Sequence, residues 1–182
     1  MPRDLIYQYA KEFTAGRIAS GFSHCHRVYH LARELSGSYD DDILYAACYL
    51  HDLDISEDGP AVSAEKAEHI LQEIGFHATK INFVVEAIKT HWPDGKRPEI
   101  PEAILLHDAN LIDSLGAIGV IRLAIGASYW YQYKTLKQVL DLIKEFREKA
   151  RLLILPKSKE LAEIKIKFMD SIIKELEEEE HL

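Results

Sequence analysis

Apolar residues recur along this chain at the three-to-four-residue spacing of amphipathic helices, and no segment shows the alternation of a half-buried strand. Leu5, Ile6, Tyr9 and Phe13 share one face of a first helix, from about Pro2 to Thr14. Gly16 and Gly21 bracket the connection to a second, which carries Val28, Leu31, Ala32 and Leu35 and stops at Gly37. Asp40 to Asp42 supply N-cap candidates for a third, ILYAACYLHD, apolar nearly all round and therefore expected to be buried. Ser63 is the expected cap of a fourth, running through Ile70, Leu71 and Ile74 and closed by Gly75.

The periodicity continues to the end. A fifth helix spans about Ala78 to His91, with Ile81, Val84, Val85 and Ile88 inward, and the loop WPDGKRPEIP leads to Pro101, which can open a sixth carrying Ile104, Leu105, Asp108 and Ile112. Gly116 and Gly119 permit close packing in the next. Thr135 to Arg151 reads as a charged amphipathic helix, Pro156 breaks the chain, and Lys157 to Glu180 forms the last. The predicted fold class is all-α: one helical domain over residues 1–175, with 176–182 as an acidic C-terminal tail.

Composition narrows the function. With 182 residues, 47% of them hydrophobic, the chain can bury a sizeable core. It has no apolar run of about 18 residues and no signal-peptide core, so a cytoplasmic protein without membrane attachment is expected. The net charge is −8, of which −4 falls between Lys174 and Leu182. An acidic balance disfavours a nucleic-acid partner but leaves open a small phosphorylated substrate, because a metal can supply positive charge. Cys25 and Cys48 are expected as buried thiols, not a disulfide.

Three separated pieces carry the chemistry: His24 with Arg27 and Val28, the pair His51-Asp52, and Asp108 within LLHDANLIDSLGAIG. Two imidazoles and two carboxylates suit one divalent ion (Mn, Co, Ni, Fe, Zn or Mg) with room left for water and a phosphate oxygen, and the absence of thiolate points away from structural zinc. His51-Asp52 closes a helix, where the negative end of the dipole favours a cation. Arg27 lies three residues after His24 on the same helix face, placed to meet a phosphate.

HxxRV, then HD, then a run close to DADxLDAIGAIGIAR, here DANLIDSLGAIGVIR, resembles the HD-domain superfamily of metal-dependent phosphohydrolases, in particular its small stand-alone hydrolases. The similarity covers about Gly21 to Arg122. It implies an all-α HD-domain bundle, metal ligation by His24, His51, Asp52 and Asp108, and hydrolysis of a nucleotide or other small phosphate ester or anhydride through a metal-bound water. Asp52 would also orient that water. Arg27 would act with it on the phosphoryl group, and Lys66, His91 and Arg122 would join Arg27 as substrate contacts. Asp113 matches the second acid of the third motif. A homodimer is compatible with this picture.

Two departures from the pattern matter. Asn110 stands where relatives carry aspartate, and Asp54, Glu57 and Asp58 follow the His-Asp pair where many relatives have a base. They keep alive an alternative, a metal-containing phosphate or nucleotide sensor without turnover. A dinuclear site, as in some HD-domain phosphodiesterases, would draw on His77 and His91, which lie between the His-Asp pair and Asp108, and an HD-type oxygenase would need two irons and further ligands. His26, His30 and His107 are expected off the metal, and His69, His77 and His181 on the surface. Tyr129, Trp130, Tyr131 and Tyr133 could stack on a base but suit a core or an interface better.

Overall fold

Helix termini set the architecture. In the computed structural model, residues 2–56, 58–129 and 131–180 are described; Glu57 of the acidic loop, Trp130 of the aromatic run and His181 lie outside them. Among the described residues there are nine α-helices, one short 3-10 turn and no strand: α1 Pro2–Phe13, α2 Phe22–Leu35, α3 Asp41–Leu50, α4 Gly59–Glu73, α5 Ala78–Lys89, α6 Pro101–Asp113, α7 Gly116–Tyr129, α8 Leu136–Lys149 and α9 Pro156–Glu180. The all-α expectation holds. The chain divides into two compact units, 1–110 and 111–182, and the division falls inside α6.

In the first unit α3 is the central element, packed by α1, α2, α4 and α5. Its sequence explains the position: Ile43, Leu44, Ala46, Ala47, Cys48, Tyr49 and Leu50 are all buried, so no face is left for water. Asp40 caps it as expected, its carboxylate accepting from the backbone N–H groups of Asp42 and Ile43 at 3.0 and 3.3 Å. Arg3 of α1 and Lys80 of α5 bind the same acidic turn, at 2.7 Å and 3.0 Å from Asp42. Glu102 of α6 accepts from the Asp40 N–H at 2.6 Å. Cys25 and Cys48 are buried free thiols.

One predicted boundary is wrong. α4 begins at Gly59, with Pro60 in its first turn, four residues before Ser63. Proline's fixed φ and missing N–H favour the helix start, and this overrides the serine signal. Ser63 is buried instead, and its hydroxyl accepts from the Asp54 N–H at 2.9 Å, tying the acidic loop to α4. The close at Gly75 is as expected, with the Phe76 N–H reaching back to the Leu71 carbonyl at 2.9 Å.

In the second unit α7, α8 and α9 pack on one another. Thr135 and Gln138 form a reciprocal capping box at the start of α8, which buries Leu140, Leu142, Ile143 and Phe146. Gly116 has φ +71°, a left-handed conformation, and a Cβ on Gly119 would collide with the Ser114 carbonyl. Both glycines are thus required by the tight α6–α7 turn. Tyr131 and Tyr133 stack at 5.2 Å, and Tyr129 is exposed. No single helix among the described residues is long and apolar enough to cross a membrane.

Candidate metal centre

Two histidines are fixed by the same local device. His51 is the C-cap of α3, and its Nδ1 lies 2.8 Å from the Cys48 carbonyl, three residues back. His91 follows the end of α5, and its Nδ1 lies 2.6 Å from the Ile88 carbonyl, also three residues back. A carbonyl cannot donate, so each Nδ1 carries the proton and satisfies one of the unpaired carbonyls of a final helical turn. In the neutral ring each Nε2 is then a lone pair.

Those lone pairs turn toward one carboxylate. His24, in the first turn of α2, places its Nε2 3.1 Å from that of His51. Asp52 Oδ2 is 3.4 Å from His24 Nε2 and 3.7 Å from His51 Nε2. Asp52 Oδ1 is 3.9 Å from His91 Nε2. All three imidazoles are buried, while the Asp52 side chain keeps 18% of its surface open to solvent.

The electrostatics match the geometry. Burial pushes His51 down to about 3 and lowers His91 as well, so both rings are neutral near pH 7. Burial also opposes ionisation of Asp52, but the surrounding imidazoles outweigh it and hold the carboxyl well below the usual range. His24, His51 and Asp52 each offer one ligand atom, all within 4.8 Å of one another. An ionised carboxylate facing the Nε2 lone pairs of His51 and His91 has more acceptors than donors around it, and a divalent cation satisfies them. The donor set fits the ion expected from sequence.

The other predicted residues are distributed as follows. Asp108 on α6 is fully buried and outside that three-residue group. His107, expected to point elsewhere, instead sets its Nδ1 2.9 Å from Asp108 Oδ1, because both side chains are buried together. Arg27 is half-buried on α2, one turn after His24. Lys66 binds Asp54 at 2.7 Å, and this bond holds the Asp54 carboxyl well below its ordinary value. In the second unit Arg122 donates to the carboxylate of Asp113 at 2.9 Å and to its carbonyl at 3.1 Å. Asn110 is buried. His77 is exposed at the start of α5 while His91 is buried beyond its far end, so the chain does not bring that pair together. His26 and His30 are exposed, with His26 Nδ1 2.8 Å from the Tyr49 hydroxyl.

Sequence reasoning missed Arg17. Its guanidinium donates to the Asp52 carbonyl at 2.8 Å and the Leu53 carbonyl at 3.3 Å, clamping the turn that carries the His-Asp pair. Arg17 sits in a connection without periodicity, and only a long-range contact reveals it.

No family model and no curated protein matches the chain. Solved structures do. An HD-superfamily hydrolase from Bacillus thuringiensis is similar over 100% of this chain and 99% of its own, with TM-score 0.70 and 24% identity. The fold is the HD-domain fold. A protein from Lactobacillus plantarum shares it at TM-score 0.80 and 22% identity, over 98% of this chain and 96% of that one. Bacillus subtilis YpgQ, solved in complex with ADP, shares it at TM-score 0.73 and 22% identity, over 97% of each chain. Within this HD fold, the described His-His-Asp group lies where α2 and the end of α3 meet.

Proposed function

We propose that this protein is an HD-type, metal-dependent phosphohydrolase acting on a nucleotide or other small phosphate ester or anhydride. The observation that carries the reading is the convergence of the His24 and His51 Nε2 atoms on the Asp52 carboxylate, with the His51 tautomer fixed from behind by Cys48. A bound divalent ion, held by these three residues and Asp108, supplies Lewis acidity toward a phosphate oxygen and lowers the pKa of water. Asp52, the partly open member, accepts a hydrogen bond from the attacking water and orients it. His91, whose Nε2 lies 3.9 Å from the other Asp52 oxygen, is a neighbouring substrate contact in this reading. Arg27, one turn from His24, offsets charge on the phosphoryl oxygens. Lys66 is a further substrate contact in this reading, sharing its charge with Asp54. The ADP bound by the YpgQ neighbour supports a nucleotide as the ligand class.

The test is turnover of nucleoside mono-, di- and triphosphates by the full chain with Mn²⁺, Co²⁺, Ni²⁺ or Mg²⁺. Hydrolysis with at least one ion is expected. Activity retained in Asp52→Ala would sink the role of the centre, and thermal stabilisation by nucleotide without turnover under any metal would favour the sensor reading.

A further inference from the structure

His107 stands one residue before Asp108 on α6 and is 4% exposed. Its neighbours Leu105, Leu106, Ala109, Leu111 and Ile112 are buried too, so an apolar side chain would sit at this position at lower desolvation cost. The imidazole is not idle there. Its Nδ1 lies 2.9 Å from Asp108 Oδ1, a buried hydrogen bond between adjacent residues. Side chains of adjacent helical residues diverge by about 100°, so this contact requires the ring to lean along the helix toward its neighbour. A carboxylate that binds a metal is ionised and offers only lone pairs, so beside such a ligand Nδ1 carries the proton and donates.

A contact to Oδ1 restrains the rotation of the carboxylate plane. A carboxylate that must meet a cation in a narrow range of geometry gains from such a brace, since outer partners of ligating groups typically govern affinity by about 10–100-fold. We propose that His107 is a positioning residue for Asp108, holding its carboxylate ready for the divalent ion. This rests on Asp108 being a metal ligand, as in the function proposed above.

The experiment measures Mn²⁺ affinity calorimetrically on the full chain, with circular dichroism in chelator to confirm folding. His107→Asn keeps an N–H donor close to the Nδ1 position; His107→Gln moves it to the Nε2 position, one methylene further out. Both are polar and of similar bulk, so a fold defect would weaken both. The expected result is a split: His107→Asn binds Mn²⁺ nearly as the natural protein does, and His107→Gln binds it about 10–100-fold more weakly. Two variants that both bind as the natural protein overturn the positioning role, and two equally weakened variants reduce His107 to a packing residue. Asp108→Ala separates the two claims. Weakened Mn²⁺ binding there with no effect of His107→Gln refutes the positioning alone, and unaltered binding in Asp108→Ala removes Asp108 from the ligand set and His107's role with it.

Discussion

The two ends of α3 carry the same residue type and do different things with it. At the N-terminal end Asp40, Asp41 and Asp42 meet permanent cations: Asp42 and Asp41 pair with Arg3 at 2.7 and 2.9 Å, and Asp40 with Lys80 at 2.8 Å. These acids are more than a third exposed. At the C-terminal end Asp52 meets buried imidazoles, of which burial keeps His51 and His91 neutral. The first arrangement is complete by itself. The second holds a negative charge among lone pairs, and it is therefore the end that calls for a cation. Helix α5 repeats the contrast, with Lys80 at its start and His91 past its end, so both helices direct the negative ends of their dipoles toward one centre.

The largest expected effect comes from breaking the C-terminal end. Asp52→Ala should lower phosphate-ester or anhydride turnover by on the order of 10³-fold or more, because several kcal/mol of charge stabilisation depends on the ion it helps hold. Asp42→Asn should leave turnover unchanged, and a comparable loss there would erase the distinction between the ends. Next in size is the response to metal. Mn²⁺ at about 100 times its dissociation constant should stabilise the natural protein and Asp42→Asn by about 2.7 kcal/mol, read as a rise in Tm reversed by chelator, and the gain should vanish in Asp52→Ala.

Arg17→Met probes the clamp on the His-Asp turn. Losing charged hydrogen bonds to the Asp52 and Leu53 carbonyls should cost about 1.5–3 kcal/mol of stability in denaturant titration, with turnover falling as the turn loosens. The smallest effect belongs to the N-terminal end and is seen in acid. Arg3 and Lys80 lower the Asp42 carboxyl, and Lys80 lowers that of Asp40 against the opposing effect of burial. The folded acids thus bind protons less readily than the unfolded ones. Their contribution is fully present above the ordinary carboxylate pKa of about 3.9 and is lost as pH falls below it. Solvent screening limits this to about 1 kcal/mol or less. The difference in Tm between the natural protein and Asp42→Asn should therefore shrink on acidification below about pH 4, and a constant difference would refute the charge pairing.

Much of this was legible in the sequence because it is local. Helix faces follow from spacing and the start of α3 from its run of aspartates, whereas Gly116 and Gly119, expected to allow close packing in the helix, serve the tight turn that opens it. The exception, Ser63, shows one local signal overruled by a stronger one, Pro60. The pairings of Lys66 with Asp54 and Arg122 with Asp113 were not legible, since a basic residue near a motif looks the same whether it faces a phosphate or a carboxylate.

Thus the chain's own periodicity and ordered motifs determined an all-α protein in which His24, His51, Asp52 and Asp108 are singled out for chemistry. Only the tertiary structure decided that His91 closes on Asp52, that Arg17 clamps the turn beneath it and that His107 turns to Asp108. Spacing along a helix specifies which face a side chain occupies; what meets that face, and which ring nitrogen keeps its lone pair, depends on backbone and side chains brought together from distant parts of the chain and on the burial they create.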